Sequence, residues 1–115
     1  MVTAHAVTRD FALASARFFR VLGDPTRLTI LELLLERPHT VSELVEATGA
    51  RQSRVSNHLA CLRWCRFVED ERHGRQVTYR VADARVGRLL EQAKELTRDH
   101  CEYLATCRRI GPDWI

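Results

Sequence analysis

What most narrows the folds open to this chain is where it stops and restarts helices between residues 23 and 52. Gly23 closes a first amphipathic helix over 8–22, in which Phe11, Ala14, Ala16, Phe18, Phe19 and Leu22 recur at helical spacing. Asp24-Pro25 supplies an N-cap acceptor and then a proline at the first helical position, where no N–H is needed. The second helix runs through Leu28, Ile30, Leu31, Leu33 and Leu34 to about Glu36. It is apolar nearly all round, so it belongs at the buried centre, and Pro38 stops it. Thr40 and Glu43 have capping-box spacing and open a short third helix with Val41, Leu44, Val45 and Ala47 inward. Gly49 ends that helix, and a fourth follows within about two residues, from Gln52 to Cys65, with Val55, Leu59 and Leu62 inward. A short helix, a glycine-containing turn and a second helix make a helix-turn-helix.

Two β-prone runs between Phe67 and Val81 flank His73-Gly74 and read as a hairpin. Asp83 is placed to cap a last, continuous helix with Val86, Leu89, Leu90, Ala93, Leu96, His100, Tyr103 and Leu104 on one stripe. The second helix already fills the core, so this stripe and the first helix are expected to form a homodimer surface. The order predicts a mainly α fold with a β-hairpin wing (α+β): a homodimeric winged helix-turn-helix. It forms one domain over 1–115, with the helix-turn-helix at 40–65, the wing at 67–81 and dimerisation helices at 8–22 and 84–106.

Charge is distributed unevenly over this pattern. The net charge is only +3, but residues 50–80 hold seven arginines and three acids, whereas the rest holds 11 bases and 12 acids. The positive excess therefore lies in one 31-residue window covering the fourth helix and the hairpin. The fourth helix presents Arg51, Gln52, Ser53, Arg54, Ser56, Asn57 and His58 between its inward positions. Arg bonds guanine bidentately, Gln and Asn bond adenine, and Ser and His supplement these or bond phosphate. In a helix-turn-helix the N-terminal part of the second helix enters the major groove, and these residues stand there. Arg72, His73 and Arg75 at the hairpin suit a phosphate or minor-groove contact. A solvated polar face would look the same one residue at a time. Its coincidence with a helix-turn-helix and a basic hairpin points to double-stranded DNA.

Other function classes fit poorly. No apolar run approaches the ~18 residues of a membrane span, and no charged segment followed by an apolar one marks a secretory signal, so a cytoplasmic protein without membrane contact is expected. Glu69, Asp70 and His73 lie on a hairpin, a poor place for a protected active site, so no enzyme is expected.

Four cysteines without a signal peptide suggest a reducing compartment, where spaced thiols point to metal binding or reactivity. Cys61 and Cys65, at i and i+4, have Cβ atoms ~6 Å apart on one helix face and can close on one soft ion. Arg63 and Arg66 beside them would lower the thiol pKa. Two sulfurs leave most metals undersupplied, and Cys101 and Cys107 in the tail are candidates for the third. The competing reading makes the cysteines small core hydrophobes. C-x3-C is not the redox C-x-x-C spacing.

Leu22-Gly23-Asp24-Pro25-Thr26-Arg27-Leu28, then Val55-Ser56-Asn57-His58-Leu59 with Leu62-Arg63, then Gly74-Arg75-Gln76-Val77-Thr78-Tyr79 resemble the ArsR/SmtB family of metal-responsive repressors over about residues 11–104. The resemblance implies a winged-helix homodimer that represses a resistance or efflux operon and leaves DNA when its inducer binds. The family's third-helix C-x-C-D site has no counterpart in Ser42-Glu43-Leu44-Val45-Glu46. Its last-helix zinc site is also missing, since Asp83-Ala84-Arg85 lacks the first His and Leu96 stands where the second would be. Cys61 and Cys65 do resemble the actinobacterial cadmium/lead-sensing branch. There, two recognition-helix thiolates combine with a cysteine from the partner subunit's C-terminal region, a part that falls here to Cys101 or else Cys107. The implied inducer is a soft metal ion, Cd(II), Pb(II), Hg(II) or As(III), with Zn(II) also accepted by sulfur. The alternative is a winged-helix regulator triggered by thiol oxidation or another signal, with structural cysteines.

Overall fold

The computed structural model describes residues 4–110, with side chains from residue 8 onward. The elements are α1 (Ala4–Leu22), α2 (Pro25–Glu36), β1 (His39–Thr40), α3 (Val41–Thr48), α4 (Gln52–Trp64), β2 (Val68–His73), β3 (Gln76–Val81), α5 (Ala84–Thr97) and, past a 3-10 turn at Arg98–His100, α6 (Cys101–Thr106). They fall into two compact units, Met1–Asp83 and Ala84–Ile115. The first is a winged helix-turn-helix.

The punctuation works as its chemistry dictates. Asp24 caps α2 by accepting the Arg27 backbone N–H at 2.9 Å, with Pro25 in the first turn. The capping box of α3 is complete: Thr40 Oγ1 accepts from Glu43 N–H at 3.2 Å, and Glu43 Oε1 accepts from Thr40 N–H at 2.9 Å. Gly49 closes α3 in the left-handed region at φ 72°, where a Cβ would be strained.

α2 packs against α1, α3, α4 and β3 and carries buried Ile30, Leu31 and Leu34. Leu44 from α3, Val55, Leu59 and Leu62 from α4, and Phe67 and Val68 from the wing root complete this core. Ala47 is exposed, contrary to expectation, because the inward row of α3 is Val41, Leu44, Val45 and Thr48 and Ala47 lies off it.

The wing contains one strand more than the sequence suggested. His39 and Thr40 pair antiparallel with Tyr79 and Thr78, so β3 is the central strand of a sheet ordered β1-β3-β2. The hairpin turn is also shifted by one residue. His73 pairs with Gln76, which leaves Gly74 and Arg75 as the two-residue loop, with Gly74 at φ 65°.

α4 ends in a Schellman turn built on an arginine. Phe67 N–H donates to the Leu62 carbonyl at 2.9 Å and Arg66 N–H to the Arg63 carbonyl at 3.0 Å, with Arg66 left-handed at φ 64°. This turn fixes Cys65 at the helix end and sends Phe67 inward.

In the second unit the expected continuous helix over 84–106 is broken. Thr97 Oγ1 donates to the Ala93 carbonyl at 2.9 Å and the Lys94 carbonyl at 3.3 Å, back-bonding that bends a helix. The chain tightens over Arg98–His100 before α6 begins. Val86 and Leu90 are buried, whereas Leu96, Tyr103 and Leu104 are exposed.

Candidate DNA-reading surface and thiol site

The first turns of α4 stand free of the core because its buried residues recur at i, i+4 and i+7. Arg51, at the N-cap, Gln52, Ser53, Arg54, Ser56 and Asn57 are all exposed. Arg72, His73 and Arg75 are exposed at the hairpin end.

The acids of the basic window lie within the wing. Arg63 reaches Asp70 at 3.3 Å, and Arg80 reaches Glu69 at 2.8 Å and Glu71 at 3.7 Å. Glu71 also lies 3.7 Å from His73 Nε2. Among the described residues Arg51, Arg54, Arg66, Arg72 and Arg75 are left without an acidic partner, so positive charge collects at the start of α4 and the wing tip.

His58 departs from the expected outward set. Its side chain is only 14% exposed, because position 58 lies one residue from buried Leu59 and faces the start of α2. Arg27 Nη1 sits 3.3 Å from His58 Nδ1; a guanidinium can only donate, so Nδ1 accepts and the ring proton is on Nε2. Nε2 points at Asp24 Oδ2 across 3.6 Å and has no hydrogen-bond partner. Burial pushes the imidazole pKa below its ordinary value, the charges of Arg27 and Arg54 push the same way, and Asp24 opposes them. Asp24 itself is raised by burial, but the Arg27 N–H, His58, the Arg27 charge and the Thr26 N–H together carry it below the usual carboxylate value.

Arg27 was legible in the sequence only as part of a motif. In the structure its Nε donates to the Val21 carbonyl at 2.6 Å and its Nη2 to the Arg20 carbonyl at 3.5 Å. One side chain therefore caps the end of α1 and holds a ring of α4.

Cys61 is half-buried and Cys65 exposed, one helical turn apart at the end of α4. Both open toward α1. Cys65 lines a cavity of about 270 Å³ with Ala14, Arg17, Phe18, Val21 and Phe67, whose rings from Phe18 and Phe67 lie 4.9 Å apart. Cys61 lines a second, of about 330 Å³, with Arg17, Arg20, Val21 and Arg27. The depression expected from Arg63 and Arg66 does not occur at Cys65. The shelter of its cavity pushes the Cys65 thiol up, neighbouring Cys61 adds to this, and the opposing cation is Arg27. Arg63 is instead engaged by Asp70.

The tail thiols differ. Cys101 begins α6 and is exposed. Cys107 follows α6, and its thiol is pushed below the ordinary value, chiefly by the Arg109 backbone N–H. The Tyr103 hydroxyl and the Ile110 N–H add to this against burial. Among the described residues no three His, Cys, Asp or Glu side chains gather in one chain to hold a metal ion. Cys61 and Cys65 thus fit a soft ion as a two-sulfur donor set, complete for a linear ion and one ligand short for a trigonal one.

Comparison with known proteins bears on the whole arrangement. Residues 24–70 match the family described as Bacterial regulatory protein, arsR family. The chain is 45% identical over 96 residues to a probable mercury resistance operon repressor of Streptomyces lividans, covering 84% of this chain and 77% of that one. It is 46% identical over 77 residues to the HTH-type transcriptional regulator CmtR of Mycobacterium tuberculosis, covering 67% of this chain and 65% of CmtR. Among solved structures, the homodimeric winged helix-turn-helix DNA-binding domain Mb0332 of Mycobacterium bovis superposes with a TM-score of 0.76 at 28% identity, covering 87% of this chain and 93% of that one.

Proposed function

This chain belongs to the arsR family of bacterial regulatory proteins, and on that premise we propose that it is a repressor whose operator is released when a soft metal ion binds Cys61 and Cys65. Membership makes it a DNA-binding transcriptional regulator rather than an enzyme. One observation carries the reading of the inducer: two thiols one turn apart sit on the recognition helix itself, opening into cavities floored by α1.

In this reading the dimer, closed by α1 and the helices of 84–106, sets two copies of α4 in successive major grooves about 34 Å apart. Phe11, Leu13 and Phe19 on α1 are exposed large hydrophobics suited to that closure. Arg51, Gln52, Ser53, Arg54, Ser56 and Asn57 face the bases, and Arg72, His73 and Arg75 follow the backbone beside them. His58 leaves this set and holds α4 against α2. The helices of one reading head are thereby fixed by the same contacts that border the thiols.

Ion uptake requires each thiol to surrender its proton to solvent as its sulfur binds. Hg(II) is met by two sulfurs; Cd(II), Pb(II) or As(III) calls on a third from Cys101 or Cys107 of the second subunit, and Zn(II) is accepted by the same donors. Reduced thiols are required throughout, which suits the cytoplasm.

The test is operator binding by fluorescence anisotropy with and without Hg(II) or Cd(II). Release in the wild-type protein, accompanied by thiolate charge-transfer absorption and abolished in Cys61→Ser/Cys65→Ser, is expected. Retained release in that double variant would overturn the thiol assignment. With the five arginines of the 50–80 window that lack an acidic partner, log affinity should fall with log salt by a slope of up to about −4.5 per protomer.

A further inference from the structure

We propose that Arg27 is the positioning residue through which occupancy of the thiol pair reaches the recognition helix, because its guanidinium holds His58 of α4 and borders the cavity lined by Cys61. This rests on the reading of Cys61 and Cys65 as the inducer site.

The argument is one of unequal bonds. At 2.6 Å, Nε to the Val21 carbonyl is a short, well-seated bond. The two Nη contacts are long, 3.3 Å to His58 Nδ1 and 3.5 Å to the Arg20 carbonyl. A disturbance of the guanidinium therefore turns it about its Nε anchor and breaks the Nη contacts first. The disturbance comes from the cavity of about 330 Å³ that Arg17, Arg20 and Arg27 share with Cys61. The two thiols lose their protons to solvent as they close on the ion, so the unit is neutral, and it displaces Arg27 by taking up the space the guanidinium borders.

The receiving end is equally poised. His58 Nε2 already lacks a hydrogen-bond partner, Asp24 Oδ2 standing 3.6 Å away. Among the described residues the bond from Arg27 is the one hydrogen bond this ring makes. Once it is broken, the ring keeps only the longer Asp24 contact across 3.6 Å to the start of α2. His58 lies on the side of α4 bordered by Arg54 and Asn57, so the freed segment is the one that faces DNA. Cys61 and His58 are three residues apart, so the thiols and the ring they govern are on adjacent turns.

The experiment follows the His58 ring nitrogens by NMR during titration with Hg(II) alone, alongside operator affinity. In the wild-type protein the Nδ1 resonance should move with the first equivalent, and in Cys61→Ser/Cys65→Ser it should not. Arg27→Lys supplies a cation without the two-armed reach, and His58→Leu leaves the Val21 cap of Arg27 in place. Both should bind Hg(II) with the wild-type charge-transfer band and yet lose at least about fivefold of the metal-induced change in operator affinity. Full metal response in His58→Leu, or a stationary His58 signal while the wild-type operator is released, would overturn the proposal. Wild-type protein that ligates Hg(II) without releasing DNA would refute the repressor reading instead, and movement of the His58 signal would still establish the link.

Discussion

The two sets of cysteines in this chain are prepared in opposite ways. Cys65, on α4, lies beside a cavity walled by Phe18 and Phe67, and its thiol is pushed above the ordinary value by that shelter and by Cys61. Cys107, after α6, sits among the Arg109 and Ile110 N–H groups and the Tyr103 hydroxyl, and is pushed below it. Near neutral pH Cys65 holds its proton, while the tail thiol of Cys107 is the readier nucleophile. An apolar wall and a ring of donors thus give one residue type two reactivities: Cys65 is the harder thiol to ionise and Cys107 the easier.

The largest effect expected from breaking this contrast is at the wall. Phe67→Ala should lose ~3–5 kcal/mol of stability in urea unfolding, because Phe67 is 2% exposed and stacks on Phe18. It should also bring the Cys65 thiol back toward its ordinary pKa, read as faster alkylation in the folded protein. Next, Cys61→Ser/Cys65→Ser should remove a metal response of about 5- to 150-fold in operator affinity, the usual span of allosteric coupling. Cys107→Ser should reduce the response less, because the helix pair remains. Smaller again is the difference in reactivity. Iodoacetamide at pH 7, mapped by mass spectrometry, should label Cys107 before Cys65, and Tyr103→Phe should slow Cys107 by about two- to fivefold through loss of one hydrogen bond to the thiolate.

The smallest effect concerns the histidine beside the pair. His58 is held below its ordinary value of 6.5, so on acidification the unfolded chain takes up the proton first. Stability should fall as pH drops through 6.5 toward the folded value, and His58→Leu should flatten that slope in thermal unfolding between pH 7.5 and 5.5. A wild-type midpoint that rises on acidification across this range would contradict the burial of the neutral ring.

These differences also mark where the sequence was readable. The helix starts at Asp24 and Thr40 and the stop at Gly49 were legible because each is set by side chains within three residues. The exposed face of α4 was legible because period 3.6 fixes it once Val55, Leu59 and Leu62 are inward. β1 was not, since two residues carry no pattern and their pairing depends on Tyr79 and Thr78, some forty positions away. The break at 98–100 was hidden because Thr97 differs from an ordinary helical residue only in where its hydroxyl points. His58 was misjudged by about one helical position, enough to move it from the outer face to the start of α2. The thiol shift was misread because Arg63 and Arg66 are neighbours in sequence, whereas the shelter that raises Cys65 is made by tertiary packing against Phe18 and Phe67, with only Arg27 opposing it.

The short α6 has a consequence for selectivity. Six residues make fewer than two turns, and a helix so short has almost no stability in isolation. Whatever fixes Cys101 and Cys107 in a complex must therefore also supply the entropy of ordering their backbone, about 1–2 kcal/mol per residue. In the proposed reading such a segment acts as a threshold. An ion with weak attraction for sulfur gains too little from the tail to hold it in place, whereas one that binds sulfur strongly clears the cost and stays.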